Sequence, residues 1–476
     1  MVKLRLLPAL CALAIGIVAA PLAAAPGVDV VSDWEISDNM TAIGFSPNPV
    51  PTENSTPGAG VFNSDLAFWG DMVVQGTYSG FRLIDVSKPS RPKEIIDWTE
   101  CASPTSTTGN QGDVIIWGDL VFRSWNSPAP SAGSQCGELP VASGEEGVHV
   151  IDISNPLDPT VVGFVDTPCG SHTATGVPDL ANNRFLIYSS PSAGTFLGNP
   201  DPDHPDAPFS CRGVDILQVP LADPSAASYL RFLPAGAEGA PHEDLHACHD
   251  TGVILGDVLK AACAGGNSLT IWSLDPADGG SLDDPVFVSR TPFAGVSIGH
   301  TAAFTWDGRY AIFGHEPGGG SGAQCQATNS LVNRTLYFVE AETGAIAGSY
   351  VQERPQSSLE NCTWHNLNVV PLKDKRKQPR YVLVAGNYQM GIQVVDFTDV
   401  QNGEMIAYAD PPTLLDPNPP TGIELGGDWS TYWYNGRIYE SDITRGLLIW
   451  RLDDDRVGTF HRTTHSNPQT QEFTID

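Results

Sequence analysis

The sequence has few basic residues for its length. Its 476 residues include 25 Lys and Arg against 55 Asp and Glu, which leaves a formal net charge of −30. A chain this acidic repels phosphate backbones and anionic lipid headgroups, so we expect no nucleic-acid partner. The short basic stretch at 373–377 is typical of an exposed turn.

Long apolar runs are also missing beyond the first residues. An apolar run at 6–20 follows Lys3 and Arg5, and three alanines stand at 23–25. This pattern indicates a secretory signal peptide over residues 1–25, and the run is too short for a good membrane span. We therefore expect a secreted or periplasmic protein with no membrane span.

Several familiar site motifs are absent as well. The cysteines show no CxxC spacing, the glycine-rich stretch 314–322 lacks the Lys-Ser/Thr of a phosphate loop, and no GxSxG elbow lies on a strand-to-helix turn. Eight cysteines follow the signal, and an even number in an exported chain favours disulfides. Eight cysteines allow 105 connectivities, but their order along the chain suggests neighbouring pairs. These pairs are Cys101–Cys136, Cys169–Cys211, Cys248–Cys263 and Cys325–Cys362.

With 48 glycines and 39 prolines, the sequence is rich in turn residues, and a repeated motif lies between the turns. Its clearest copies, 80–92 and 147–159, each have a glycine, a β-rich run and an Asp/Ser/Pro turn. Seven such copies predict an all-β fold, a seven-bladed β-propeller of four-stranded antiparallel blades. The five weaker copies start at Gly213, Ser268, Thr335, Gly391 and Gly446.

Copies 80–92 and 147–159 resemble the LVIVD repeat of bacterial and archaeal surface and exported proteins. The other five copies are similar to it more loosely, and together they span most of the chain after the signal. The resemblance implies a β-propeller outside the cytoplasm. It implies no single activity, so the function depends on individual residues.

The propeller is expected to span residues 26–455. No outer strand follows Asp455, so the stretch 30–36 is expected to supply the last strand of blade seven and to close the ring, which removes an open sheet edge. The remaining residues, 456–476, are predicted to form a polar, loosely held tail. Long loops are predicted at 39–62, 126–146 and 191–211.

Histidines recur at one position of the predicted inner strands. In a propeller these strands line a central channel, so equivalent residues face one another. Seven residues before the turn that ends each inner strand the sequence has a polar residue, which in blades three to six is His172, His249, His300 or His365. Neutral imidazoles that converge in this way can bind a transition metal such as copper, iron or zinc. The alternative is a channel wall whose polar groups hold water.

Other residues are candidates for the surroundings of such a metal. His315 is expected to oppose His300 across the hairpin that turns at Asp307 and Gly308, with Glu316 beside it. Ligating histidines usually donate their second nitrogen to a carboxylate or a carbonyl. Further candidates for the second shell, the channel or its entry are Glu243, Glu360, Asp428, His242 and His246.

The four-histidine pattern is similar to that of two groups of propeller enzymes. Carotenoid-cleaving oxygenases hold iron with four channel histidines, and selenium-binding-type methanethiol oxidases use channel histidines with copper. This likeness is limited to the histidine positions, and it implies a metal-dependent oxidoreductase that acts on a small molecule. Two alternatives stay open: a non-catalytic LVIVD-repeat binding or adhesion module with a surface ligand and a water-lined channel, and a hydrolase that uses metal-activated water.

Overall fold

The structure, a computed structural model, describes residues 28–49, 62–101, 111–131, 133–192, 211–241, 244–320, 322–373, 379–413 and 426–475. The expected signal peptide at 1–25 lies outside these residues. The described part is all-β, without an α-helix, and it contains no helix with the length and apolar character needed to cross a membrane. Its short 3₁₀ helices are Asp29–Val31, Leu180–Asn182, Pro224–Ala226, Pro276–Asp278, Leu331–Arg334 and Asp455–Val457.

Most of the described strands fall into antiparallel sets of four, here called units one to seven; units one to five are separate sheets, whereas units six and seven, with β1, are joined in one nine-stranded sheet. Two strands near the N-terminus come first, β1 (Glu35–Ile36) and β2 (Met40–Pro47). Unit one contains β3 (Asn63–Trp69), β4 (Met72–Thr77), β5 (Gly80–Asp85) and β6 (Lys93–Trp98). Unit two contains β7 (Val114–Trp117), β8 (Leu120–Trp125), β11 (Gly147–Asp152) and β12 (Thr160–Asp166), with a small hairpin of β9 (Ser134–Cys136) and β10 (Leu139–Val141) between its second and third strands. Unit three contains β13 (Ala174–Asp179), β14 (Arg184–Ser189), β15 (Gly213–Pro220) and β16 (Ser228–Pro234).

The remaining units follow the same plan. Unit four contains β17 (Asp250–Ile254), β18 (Lys260–Gly265), β19 (Ser268–Ser273) and β20 (Val286–Pro292). Unit five contains β21 (Gly299–Phe304), β22 (Tyr310–His315), β23 (Thr335–Glu340) and β24 (Ile346–Val351). Unit six contains β25 (Cys362–Val369), β26 (Val382–Tyr388), β27 (Ile392–Asp396) and β28 (Glu404–Asp410). Unit seven contains β29 (Asp428–Tyr434), β30 (Arg437–Asp442), β31 (Gly446–Leu452) and β2, which comes from the N-terminal part of the chain. Two short strands of the tail follow, β32 (His465–Ser466) and β33 (Thr470–Gln471).

The first strands of the seven units, here called the inner strands, lie next to one another. Each contacts the inner strand of the next unit, and β29 of unit seven contacts β3 of unit one. Hydrophobic clusters fill the spaces between neighbouring sheets; between units seven and one, for example, Phe68 packs against Tyr434 and Tyr439. The core therefore lies between the sheets, and the inner strands border a common central space.

The glycine and the aspartate of the repeated motif each have a structural role. Gly80 and Gly147 begin the third strands of their units, where a Cβ atom would collide with the carbonyl oxygens of Trp98 and Val165 on the fourth strands. Only glycine permits this close approach of two backbones. At the other end of the strand the aspartate accepts a backbone hydrogen bond from the residue two positions later, as Asp85 does, and this bond stabilises the turn.

An N-terminal strand does join unit seven, but it is not the predicted one. The stretch 30–36 was expected to complete unit seven, yet β1 pairs with β28 of unit six. The strand that pairs with β31 is β2, which lies in a region expected to be a loop. Trp34 instead packs on Trp450, with ring centroids 5.6 Å apart, and burial of this large side chain accounts for the shift. The predicted loop at 126–146 likewise contains the β9–β10 hairpin.

The tail is firmly attached, so the prediction that it is loosely held is wrong. β32 pairs with β3, and β33 lies parallel to β17. Asn467 both accepts from and donates to the backbone of Ile116, at 2.9 Å in each case. The tail thereby passes beneath the ends of all seven inner strands, where it makes hydrogen bonds with Pro371, Asn435, Gly70, Ile116, Gly176, Val253 and Phe304.

The four disulfides predicted from chain order are confirmed. Three join cysteines within one unit or its adjoining loops, and Cys325–Cys362 links unit five to unit six; the Cα–Cα separations are 4.1 to 5.9 Å. The pairs are Cys101–Cys136, Cys169–Cys211, Cys248–Cys263 and Cys325–Cys362. Bonds of this kind are typical of extracellular or periplasmic proteins.

Candidate functional site

The four histidines of the repeated inner-strand position lie side by side. The Nε2 atoms of His172 and His249 are 3.0 Å apart. The ring centroids of His249 and His300 are separated by 3.8 Å, and those of His300 and His365 by 4.1 Å. The structure thus brings together all four residues, which we call the histidine cluster.

The outer ring nitrogens of His172 and His249 are held by oxygen acceptors. His172 Nδ1 lies 2.9 Å from Asn126 Oδ1, and His249 Nδ1 lies 3.1 Å from Asp250 Oδ1. An amide oxygen accepts hydrogen bonds, and so does the Asp250 carboxylate when a nearby cation keeps it ionised; each Nδ1 then donates, and each neutral ring has a lone pair on Nε2. The two Nε2 atoms that face each other therefore both present lone pairs.

His300 and His365 have the same arrangement. His365 Nδ1 donates to the carbonyl of Trp429 at 2.5 Å. His300 Nδ1 lies 2.8 Å from Thr301 Oγ1, whose own hydrogen is donated to the carbonyl of His365, so Thr301 accepts from His300. In all four rings Nδ1 is the donor, and Nε2 is the atom available to a ligand. A histidine that ligates a metal is commonly oriented by such a second hydrogen bond.

Two buried carboxylates accompany the histidine cluster. Glu316 Oε2 lies 3.8 Å from His249 Nε2 and 4.0 Å from His300 Nε2, and Glu316 Oε1 lies 4.0 Å from His365 Nε2. Asp250 Oδ2 lies 3.5 Å from His300 Nδ1. Among the described residues, neither carboxylate forms an ion pair with a lysine or an arginine. The site therefore has two carboxyl groups but no cation from the protein.

Burial determines the protonation of these groups. It lowers the pKa of His249 and of His365 to about 3, and it lowers the pKa of His300 well below its ordinary value with help from the neighbouring imidazoles. The rings are therefore neutral at neutral pH, which is the form that binds metals. Burial also raises the pKa of Glu316 to about 8, because no positive charge compensates the carboxylate.

The space enclosed at the histidine cluster is small. A cavity of about 10 Å³ lies there, close to the least volume that holds one water molecule. It has room for an ion or a water molecule, and not for an organic substrate in this conformation. Its lining residues are Gln111, Asp113, Thr173, His249, Asp250, His300, His365, Asn366, Trp429 and Gln469.

Other predicted histidines lie outside the cluster. A register shift between Gly299 and Ala302 places His315 opposite Gly299, so the predicted pairing of His315 with His300 is wrong. His315 Nε2 accepts from the backbone of Ser297 at 3.3 Å. His246 lies 2.7 Å from Thr270 Oγ1 and makes no contact with the cluster. Neither residue is placed to bind a metal with the four histidines.

Of the acidic residues predicted to surround the metal, one lies at the histidine cluster and the other described ones lie elsewhere. Glu316 lies at the cluster as predicted, whereas Asp428 interacts with Glu440 and Thr431 in unit seven. Glu360 accepts from Ser357 and Thr413, away from the histidines. Glu243 and the neighbouring His242 lie outside the described residues.

Sequence reasoning missed three contributors to the site. Asp250 directly follows His249, and a search for carboxylates beside each histidine would have found it. Thr301 follows His300 in the same way. Tyr388, whose hydroxyl lies 3.0 Å from His365 Nε2, ends β26 and is distant from His365 in the sequence, so no local signal points to it.

The four-stranded sheets and the buried histidine cluster define an all-β repeat protein with a polar candidate site. Residues 140–167, which include β11 and β12, match the LVIVD repeat, so the resemblance to that repeat is confirmed for this stretch. No curated protein matches the chain, and the likeness to carotenoid-cleaving oxygenases and selenium-binding-type methanethiol oxidases has no support from these comparisons. Among solved structures, the computationally designed Ika8 protein is similar over 85% of this chain and 100% of its own, with 11% identity and a TM-score of 0.41.

Proposed function

We propose that the chain is an exported seven-bladed β-propeller of four-stranded antiparallel blades, spanning residues 26–455, in which each unit is one blade and β2 completes blade seven. Support comes from the contacts between successive inner strands, which return from unit seven to unit one. The hydrophobic cluster between those two units supports it as well. The four disulfides favour export, as does the signal-like segment at 1–25.

We further propose that the protein binds one transition-metal ion at His172, His249, His300 and His365, with Glu316 beside them. The observation that carries this proposal is the orientation of the rings: each Nδ1 is tied to an acceptor, so each Nε2 is left to face a ligand. Two nitrogens bound to one ion lie about 3.0 to 3.4 Å apart when each is about 2.1 Å from it. The Nε2 atoms of His172 and His249 match this spacing at 3.0 Å.

Nitrogen and carboxylate ligands without thiolate suit copper, iron or zinc. Such an ion would supply redox or Lewis-acid chemistry, and we propose an oxidoreductase acting on a small molecule. The cavity of about 10 Å³ limits what reaches the ion in this conformation to a species near the size of water. The alternative, a non-catalytic binding or adhesion module whose channel holds water, uses the same cavity without an ion.

The test of the proposal is the metal content of the protein purified without chelator. We expect about one equivalent in the wild type and little in the His249→Ala, His300→Ala double variant, because a site left with two imidazoles binds weakly. His315→Gln is the matched control, since it changes a buried histidine of the same unit as His300 but outside the cluster. Equal metal in the double variant and the wild type would refute the site, and no metal in any of them would favour the water-lined channel.

A second prediction concerns Thr301, which orients two rings at once by accepting from His300 and donating to the carbonyl of His365. Thr301→Val keeps the shape and removes both bonds, so we expect metal affinity to fall by about 10- to 100-fold. The control is Thr175→Val, which loses a similar bond, to the carbonyl of Thr251, away from any histidine ring. Competition titration with a chromophoric chelator measures the metal affinity of both variants. An equal loss of affinity in the two would show that Thr301 does not orient the rings.

A further inference from the structure

Tyr388 has an unusual backbone conformation for a large side chain. It ends β26 with a φ of 54°, in the left-handed region that strongly favours glycine. Only three other non-glycine residues in the described part of the chain share a positive φ. Strain of this kind persists where the surrounding structure enforces it, and it is concentrated at functional sites.

The structure makes room for this tyrosine with two glycines. A Cβ atom at Gly320 would collide with the Tyr388 hydroxyl, and one at Gly427 would collide with the Tyr388 backbone. The side chain is 3% exposed, and its ring centroid lies 4.4 Å from that of His365. Both the backbone and its neighbours therefore direct the hydroxyl toward the histidine cluster.

The hydroxyl faces two acceptors at once. It lies 3.0 Å from His365 Nε2 and 3.0 Å from Glu316 Oε1. His365 Nε2 presents a lone pair, because Nδ1 carries the hydrogen donated to Trp429. A phenol has one hydrogen to donate, so it satisfies only one of these two atoms, and the other is left for a proton or a cation. A cation placed among the three atoms would satisfy all of them.

Two of the three distances among these atoms fit adjacent ligands of a common ion. The hydroxyl oxygen, His365 Nε2 and Glu316 Oε1 form a triangle with sides of 3.0, 3.0 and 4.0 Å. Adjacent ligand atoms around one transition metal lie about 3.0 to 3.4 Å apart. The hydroxyl thus has the same spacing from His365 that His172 has from His249.

We propose that the Tyr388 oxygen is a further ligand of the metal, an inference that rests on the metal site of the proposed function. A metal–oxygen bond forms and the phenol O–H bond breaks, and the proton leaves to solvent. No electron is transferred in this step. A phenolate beside imidazoles favours oxidised copper or iron over softer ions.

Copper(II) loading tests the ligand role, because Cu²⁺ binds nitrogen and oxygen sites most tightly among the divalent first-row metals. We expect the metal-free protein to take up one Cu²⁺ and to develop a visible phenolate-to-copper charge-transfer band, with tyrosinate ring modes enhanced in its resonance Raman spectrum. Tyr388→Phe should still take up one Cu²⁺, with affinity lowered about 10-fold, but should lose both spectroscopic signatures.

The control is Tyr78→Phe, which alters another buried tyrosine of the same aromatic cluster, packed on Trp429 rather than on His365. This variant should keep the wild-type spectrum. Stoichiometric copper binding without tyrosinate modes in the wild type, or an unchanged spectrum in Tyr388→Phe, would overturn the ligand role and leave the metal site intact. Failure of the wild type to bind copper would instead overturn the metal site and this inference with it.

Discussion

Removal of the tail, residues 456–476, is expected to lower the free energy of unfolding by on the order of 5 kcal/mol. The tail makes hydrogen bonds beneath all seven inner strands, and each such bond contributes about 0.5 to 1.5 kcal/mol net. It also buries Val457 and packs Phe473 against Trp306, with ring centroids 4.6 Å apart. We expect the guanidinium midpoint to fall and the thermal midpoint to drop by roughly 5 °C or more.

The matched control for this truncation is Arg462→Ala. Arg462 is exposed and belongs to the same tail, and substitutions of such side chains change stability by about 0.5 kcal/mol or less. Limited proteolysis, which measures how readily the folded chain is cleaved, gives a second readout. Loss of the tail removes the hydrogen bond from Gln469 to Asp65 and exposes that end of the central space. An unchanged midpoint in the truncated protein would mean that the tail does not hold the seven units together.

The sequence predicted the strand units well because the physical signals are local. In units one and two a glycine at a close backbone approach and an aspartate at a turn mark the third strand, and looser copies of the motif recur along the chain. The closing strand was misplaced because its pairing is non-local: Met40 pairs with Leu452, and neither residue's surroundings encode the other. The tail was misjudged for a related reason, since its polar residues bond to backbone atoms exposed at strand ends, and such partners have no side-chain signature.

The site was predictable to the extent that it follows the repeat. The four histidines occupy equivalent positions, so their convergence followed from the repeat and the fold class. The pairing of His315 with His300 failed because one register shift in β21 moves the opposing residue. Tyr388 could not be predicted from the sequence, because it contacts the cluster through a strained backbone conformation that no sequence pattern indicates.

Protein stability is expected to fall as the pH rises from about 5 to about 8, because of Glu440. This carboxyl group is fully buried in β30, where it accepts a hydrogen bond from Trp450 at 2.7 Å. Burial, and then the nearby charge of Asp442, raise its pKa from 4.5 to about 8. It lies outside the histidine cluster, so the effect is independent of any metal.

The sign follows from comparing the two states. In the unfolded chain Glu440 ionises near pH 4.5, whereas in the folded protein it keeps its proton until about pH 8. Its stabilising contribution is complete below pH 4.5 and is lost as the pH rises through that window, by on the order of 4 kcal/mol at 1.36 kcal/mol per pKa unit. Glu440→Gln keeps the shape and the acceptor for Trp450 but cannot titrate, so its guanidinium midpoint should decline less between pH 5 and pH 8. Equal declines in the variant and the wild type would assign the pH dependence to the general acidity of the chain rather than to Glu440.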